Sequence, residues 1–255
     1  MRKKLNPVFV LILSSLILLG FIGLSKATQL IATSKPDAAA QAKAIKQVFQ
    51  ADKDVESAEY LDLTTGKIVS KNPRELRVSA STYKLFIARF ILAEIASHKL
   101  SWTSPYENET IRDGITQMIV NSDNNFPEWV IATYGADTIE AYLKSVGYQG
   151  LWADPNQAQT SASDLTKVLQ YYYLHRQNAD VKFLLGLMKT QEFRTGIPAG
   201  TPSVVADKVG FIDYYKNDAG IVFAKRPYIL VVMTNHQTDF SLVKQVTQAV
   251  ENSRK

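Results

Sequence analysis

Alternation between apolar and polar residues separates strand-like from helical segments in this chain. A helix is expected to start near Asp37 and end near Ala51, and a β-hairpin is expected over residues 56–70 with its turn at Gly66. Three later segments have the period of strands and are joined by short links: residues 203–209, 218–224 and 228–234. Strands connected in this way predict an antiparallel meander. An amphipathic helix over residues 241–252 follows.

The middle of the chain has the period of helices. Four helices are predicted between residues 107 and 190: residues 110–120, 126–134, 136–146 and 163–175. Residues 147–160 form an irregular loop between them. The segment after Ser81 is apolar on nearly every face, which predicts a helix buried inside the protein.

These segments predict an α+β fold. A hairpin alone is only marginally stable, so we expect it to join the three later strands in a five-stranded antiparallel sheet flanked by the terminal helices. A helical lobe over about residues 81–200 would be inserted in this sheet lobe. The predicted organisation is a signal peptide or membrane anchor at residues 1–27, a linker and helix start at 28–44, and a catalytic domain at 45–255.

The first 27 residues have the composition of a membrane-targeting segment. Arg2, Lys3 and Lys4 precede an apolar run over residues 7–24. The basic end predicts that the rest of the chain lies outside the cytoplasm, either secreted or anchored to the cell membrane. Small residues near Ala27 fit a cleavage site, whereas the length of the run also fits a retained anchor. The chain has no cysteine that would carry a lipid.

Composition argues against several classes of site. The absence of cysteine excludes disulfides and thiolate ligands, and with three histidines a histidine-rich metal site is not expected, nor is a cofactor. The net charge is +5, but four of the 29 basic residues lie in the first 27 residues, which contain no acidic residue. Beyond them, 25 basic residues face 24 acidic residues, so nucleic-acid binding is not expected.

Ser81 and Lys84 place a hydroxyl and an amine three residues apart at the start of the buried helix. Residues with this spacing share a helix face, so the Lys84 amine is expected to reach the Ser81 oxygen. An amine that has lost its proton can activate a serine nucleophile. The spacing also fits a helix cap followed by a solvated lysine. It recurs at Ser241 and Lys244, where we expect no function.

Two further short motifs follow in the chain. Ser122-Asp123-Asn124 lies at a junction between predicted helices, and Lys208-Val209-Gly210 lies in the first strand of the meander. Taken alone, the first is also typical of a turn or cap, and the second of a surface lysine before a bulge. Their order and their element types carry more information than either motif does.

Together the three motifs resemble those of the penicillin-recognising serine hydrolases, most closely the class A β-lactamases. The resemblance continues through four segments around the third motif: residues 194–198, 205–208, 217–222 and 227–234. It covers most of residues 45–250. It implies an antiparallel sheet with terminal helices, a helical lobe, and an active-site cleft between them.

The resemblance implies that Ser81 attacks the carbonyl of a β-lactam or a D-alanyl peptide while Lys84 accepts its proton. The backbone N–H groups of Ser81 and Phe211 would form the oxyanion hole. Gly210 would let the strand approach the substrate closely.

The same resemblance assigns roles to the other motif residues. Ser122 would relay a proton to the leaving nitrogen, and Asn124 would hold the substrate amide near Lys84. Lys208 would offer its charge to Ser122 and to the substrate carboxylate. Asp123 would brace the backbone.

Two departures from the family pattern separate acylation from turnover. The loop at residues 147–160 contains no glutamate to activate a deacylating water, and Asp154 is its nearest carboxylate. Val209 stands where the family usually has a hydroxyl for the substrate carboxylate, a loss of about 1.5–3 kcal/mol of recognition. We therefore expect slow release of β-lactams unless Asp154 or another base serves.

Three functions remain open from sequence. The first is an exported serine hydrolase that forms an acyl-enzyme with β-lactams. The second is a cell-wall D-alanyl-D-alanine peptidase or amidase. The third is an exported binding protein without catalysis. The expected partner is a small β-lactam or D-alanyl peptide, and the protein is expected to be a monomer.

Overall fold

The computed structural model describes residues 38–152 and 157–254. The first half of this chain contains α1 (Ala38–Gln50), β1 (Val55–Asp62), β2 (Ile68–Lys71), β3 (Arg77–Val78), a 3-10 helix (Ala80–Tyr83), α2 (Lys84–Ala96), β4 (Pro105–Tyr106), β5 (Glu109–Thr110), α3 (Ile111–Val120), α4 (Asn125–Tyr134) and α5 (Ala136–Ser145). The second half contains β6 (Gln159–Thr160), α6 (Ala162–Leu174), α7 (Ala179–Lys189), α8 (Ile197–Gly200), β7 (Val204–Ile212), β8 (Tyr215–Phe223), β9 (Tyr228–Thr234) and α9 (Ser241–Ser253).

Five of the strands form one antiparallel sheet in the order β2-β1-β9-β8-β7. The N-terminal hairpin thus joins the C-terminal meander, because β1 pairs with β9. The predicted α+β fold with a five-stranded antiparallel sheet is confirmed. Strand β7 lies at the edge of this sheet, so its outer side is open for contacts with the 3-10 helix.

The sheet is covered on both faces, and alternate residues of a strand enter different cores. In β9, Ile229, Val231 and Met233 pack with the helices of the middle segment. Tyr228, Leu230 and Val232 pack instead with the terminal helices α1 and α9. Burial on both faces explains why β9 is an uninterrupted run of apolar residues rather than an alternating one.

Helix α2 is the centre of the core between the sheet and the middle segment. Its residues from Lys84 to Leu92 are buried except Arg89, as its apolar composition predicts. The Tyr172 hydroxyl donates to the Leu85 carbonyl over 2.6 Å, which links the first turn of α2 to α6. The start of α2 is thus fixed from inside the protein.

Several element boundaries differ from the sequence expectations. Strand β7 continues to Ile212, and strand β8 already begins at Tyr215, so a turn of two residues, Asp213 and Tyr214, joins them. Aromatic and β-branched residues in this hairpin favour strand, and Asp213 tolerates its φ of 44°. Helix α7 is an additional helix, capped by the Asn178 side chain.

The predicted membrane segment at residues 1–27 lies outside the described residues. Among the helices of residues 38–152 and 157–254, none combines the length and the apolar character that crossing a bilayer requires.

Candidate active site

Ser81 lies in the 3-10 helix one turn before α2, rather than in the α-helix itself. Thr82 donates to the Ser79 carbonyl from its hydroxyl over 2.7 Å, and the Ser79 and Thr82 hydroxyls are 2.9 Å apart. Ala80 has a φ of 44°, a left-handed conformation that turns the chain just before Ser81. These contacts hold the Ser81 backbone in a tight turn.

The sheet holds this turn through the buried Asn217 of β8. Its amide nitrogen donates to the carbonyls of Val78 and Ser79 over 2.8 and 3.3 Å, and its oxygen accepts from the Thr234 N–H over 3.0 Å. One side chain therefore fixes the position of the Ser81 turn relative to two central strands.

Gly210 brings the edge strand β7 directly against the same turn. A Cβ on Gly210 would lie 2.7 Å from the Ser79 oxygen, 2.8 Å from the Thr82 nitrogen and 2.9 Å from the Ser81 nitrogen. These contacts are with backbone atoms, which have little freedom to move. Only glycine allows this approach, and Phe211 follows it along the strand.

The buried amine of Lys84 points at the second motif. It donates to the Asn124 Oδ1 over 2.7 Å, to the Ser122 carbonyl over 2.5 Å and to the Ser122 hydroxyl over 3.4 Å. No hydrogen bond joins it to Ser81 in the described part of the chain. Burial lowers the pKa of Lys84 to about 8, against the opposing charges of Asp123 and Glu128.

Ser122 lies between two lysines. Its hydroxyl accepts from the Lys208 amine over 2.9 Å, while Lys84 approaches from the other motif. Ser122 has a φ of 61°, a conformation that is rare outside glycine and is common at functional sites. Burial, followed by the positive charge of Lys84, lowers the pKa of Lys208 to about 7.

A buried acidic pair lies behind Lys208 in the sheet. Burial raises the pKa of Asp207 well above its ordinary value and that of Asp218 to about 6. Arg194 donates to Asp207 over 2.6 Å, and the Gln191 amide also donates to it. The negative charges of this pair raise the pKa of Lys208, whereas the positive charge of Lys84 lowers it.

The Ser81 turn opens into a cleft of about 560 Å³. Its walls come from the 3-10 helix, the second motif, helix α4, the two residues before β6 and strand β7. The lining residues are Ala80, Ser81, Tyr83, Asn124, Glu128, Gln157, Ala158, Phe211 and Ile212. The Phe211 side chain packs against Phe193 and Phe240, with ring centroids 5.1 and 6.2 Å away. The cleft thus has polar side chains at Ser81, Asn124 and Glu128 and an aromatic wall at Phe211.

A model of the beta-lactamase enzyme family matches residues 40–252 of the chain. The chain belongs to this family. Its motifs and fold make it a β-lactamase-like serine hydrolase.

Solved class A beta-lactamases share the fold at low sequence identity. The enzyme of the last common ancestor of Gram-negative bacteria has a TM-score of 0.71 and 16% identity, over 85% of this chain and 100% of that chain. A beta-lactamase from Chitinophaga pinensis has a TM-score of 0.73 and 17% identity, over 84% of this chain and 99% of that chain. None of the curated proteins matches the chain.

The structure of this family member brings most of the predicted site residues together. Lys84, Ser122, Asn124 and Lys208 are connected by hydrogen bonds, and Gly210 touches the Ser81 turn. Asp123 accepts from the Asn125 N–H over 2.8 Å at the start of α4. Asp154 lies outside the described residues and stays a prediction.

The expected contact between Ser81 and Lys84 is replaced by contacts to the second motif. Ser81 lies in the 3-10 helix, and Lys84 is the first residue of α2. The buried amine needs acceptors, and the Ser122 carbonyl and the Asn124 side chain supply them at 2.5 and 2.7 Å.

Val209 does not face the cleft. Its side chain is fully buried in the core with the terminal helices, beside Val205 and Phe240. Strand alternation explains this placement, because Lys208 takes the opposite face. The position at which the family usually has a hydroxyl for the substrate carboxylate is thus part of an apolar core in this protein.

Two residues of this site, Asn217 and Glu128, were not predicted from the sequence, and the patterns that could have indicated them are weak. Asn217 is a buried amide inside a strand, where asparagine is normally depleted. Glu128 follows Asn124 by four residues and so shares its helix face, and its backbone N–H donates to the Asn124 carbonyl over 3.1 Å. Among the described residues, no group of three or more acidic or histidine side chains is placed to hold a metal ion.

Proposed function

We propose that the protein forms an acyl-enzyme with β-lactams through Ser81. The observation that supports this most is the pair of buried lysines on Ser122, with Lys208 at 2.9 Å and Lys84 at 3.4 Å. Burying two amines around one hydroxyl is costly for stability, and such perturbed groups cluster at functional sites. Asn124, which accepts from Lys84, lines the cleft that contains Ser81.

In the acylation step, the Ser81 oxygen attacks the β-lactam carbonyl carbon and the C–N bond of the ring breaks. Lys84 accepts the Ser81 proton, because a pKa of about 8 leaves a usable neutral fraction near neutral pH. Ser122 passes a proton to the leaving nitrogen and is re-protonated through its lysine neighbours. The charge of Lys208 attracts the substrate carboxylate.

The oxyanion would be held by two backbone N–H groups. Ser81 supplies one from the tight turn, and Phe211 supplies the other just after Gly210. Asn124, which already accepts from Lys84, would donate its amide nitrogen to the substrate amide. The aromatic wall at Phe211 fits an apolar substituent on that substrate.

We propose further that the chain is exported and acts as a monomer, either secreted or held at the membrane by its N-terminal segment. The basic residues before the apolar run at residues 7–24 support this orientation. Labelling of intact cells with a membrane-impermeant penicillin probe, compared with labelling after lysis, tests it. Labelling that appears only after lysis, and not in intact cells, would contradict export.

The acylation proposal is tested with a fluorescent penicillin. The full-length protein is incubated with the probe, and covalent label is followed on denaturing gels and by intact mass. Wild type is expected to gain one label, and Ser81→Ala is expected to gain none. Ser241→Ala is the matched control, because Ser241 and Lys244 repeat the spacing at the start of α9.

Absence of label from wild type would overturn the acyl-enzyme proposal. Label that persists in Ser81→Ala would place the nucleophile elsewhere. A parallel assay of D-alanine release from a stem-peptide analogue distinguishes a peptidase. Loss of label is then timed in wild type and Asp154→Asn to test whether Asp154 is the deacylating base.

A further inference from the structure

One carboxylate lines the cleft beside Ser81. Of the described residues that form its walls, Glu128 alone carries a negative side chain. Glu128 lies on the first turn of α4, four residues after Asn124, and both residues line the cleft. It belongs to none of the three motifs.

The surroundings of Glu128 place its charge near the reacting groups. It opposes the effect of burial on Lys84 and raises the pKa of that amine. Burial raises the pKa of the Tyr83 hydroxyl, two residues after Ser81, and the charge of Glu128 adds to this effect. Glu128 is solvent-exposed, so water has access to the carboxylate. A water between Glu128 and Ser81 would lie within the cleft.

We propose that Glu128 is the general base for deacylation in this protein, the role for which the loop at residues 147–160 provides no glutamate. This inference rests on the proposed acyl-enzyme at Ser81. Among the described residues of that loop, Gln157 and Ala158 line the cleft, and neither carries a group able to take a proton from water. Glu128, on the helix after the second motif, brings a carboxylate to the same cleft.

The step balances without a co-reactant. The Glu128 carboxylate takes one proton from water while the water oxygen bonds to the acyl carbon of the Ser81 ester. The tetrahedral intermediate then collapses, and the bond from the acyl carbon to the Ser81 oxygen breaks. The proton held by Glu128 returns to the Ser81 oxygen, directly or through Lys84, and the open-ring acid leaves.

Glu128→Gln tests the proposal because it keeps the shape of the side chain and removes its basicity. After labelling of the full-length protein with fluorescent penicillin and removal of free probe, loss of label is timed by gel and by intact mass. Glu128→Gln should still form the label but lose it about 10²- to 10⁴-fold more slowly than wild type. Glu128→Asp should fall between the two.

Glu107→Gln is the matched control, since it makes the same change in a neighbouring depression that does not contain Ser81. It should lose label at the wild-type rate. Equal rates of label loss in wild type and Glu128→Gln would overturn the proposal. It would also be overturned if Asp154→Asn kept its label while Glu128→Gln lost it at the wild-type rate. If wild type never forms a label, the acyl-enzyme proposal itself fails.

Discussion

The amine of Lys208 lies 2.9 Å from the hydroxyl of Ser122, although 86 residues separate them in the chain. Lys84 contacts Ser122 from a third segment. Two buried amines thus meet at one hydroxyl, and burial, followed by the positive charge of Lys84, lowers the pKa of Lys208. Their proximity disfavours a positive charge on both amines at once near neutral pH.

Lys208→Met should make the protein more stable and less active. It removes a buried amine whose pKa burial lowers to about 7, and a similar side-chain length fills the space. We expect a gain in the free energy of unfolding at neutral pH, because the lowered pKa means that folding disfavours the charged form of this amine. Acylation should slow by about 10²-fold, because Ser122 loses its Lys208 donor at 2.9 Å and keeps only the longer contact to Lys84 at 3.4 Å. Urea unfolding and penicillin labelling measure the two effects.

Lys225→Met serves as the control for Lys208→Met, because Lys225 is exposed in the turn before β9. It should change neither stability nor labelling. A destabilised Lys208→Met would show that the attraction of the acidic pair for Lys208 outweighs the cost of burial.

The acylation rate constant at saturating penicillin should rise with pH up to about 8 and then level off. Burial lowers the pKa of Lys84 to about 8, so its neutral, proton-accepting form increases as pH rises towards that value. Stopped-flow labelling between about pH 6 and about pH 9 measures this, across the range where the amine titrates. A rate constant that falls over this range would contradict Lys84 as the base.

Glu128→Gln supplies a second check on the same profile. Because the charge of Glu128 raises the pKa of Lys84, its removal should shift the rise in acylation to lower pH. Glu107→Gln should leave the profile unchanged. An unshifted profile in Glu128→Gln would show that its charge does not reach Lys84.

Gly210→Ala should slow acylation by about 10²- to 10³-fold, the cost of losing an oxyanion donor. Its Cβ would lie under 3.0 Å from three backbone atoms of the Ser81 turn, so strand β7 must move away. Gly186→Ala is the control, since a Cβ on this residue of α7 would meet no atom within 4 Å outside its chain neighbours and its own helix backbone. That variant should gain about 0.5–1 kcal/mol of stability and keep full labelling. Normal labelling of Gly210→Ala would contradict the proposed oxyanion hole.

Val209→Thr should not improve recognition of the substrate carboxylate. The Val209 side chain is buried in the apolar core with the terminal helices, so a hydroxyl there lacks a partner and costs about 1–3 kcal/mol of stability. Urea unfolding measures the loss. Half-saturating concentrations of a penicillin and its methyl ester measure recognition, and a tenfold gain for the acid alone would show that the hydroxyl reaches the cleft.

Residue order alone predicted most of the helices and strands and the α+β fold class. The apolar runs of β9 and α2 carried this prediction, because hydrophobic periodicity is a local property of the chain. The charge pattern and the absence of cysteine likewise needed no structure. The three motifs, through their resemblance to the penicillin-recognising serine hydrolases, indicated a serine hydrolase and left a non-catalytic binding protein open.

Which side chains meet in space depends on the tertiary packing. Sequence spacing favours a contact between Lys84 and Ser81, whereas the structure directs the Lys84 amine to Ser122 and Asn124. The face taken by Val209 and the entry of Glu128 into the cleft also depend on how distant elements pack. The physical reason is that hydrogen bonding and burial act through space, while a motif specifies only separation along the chain.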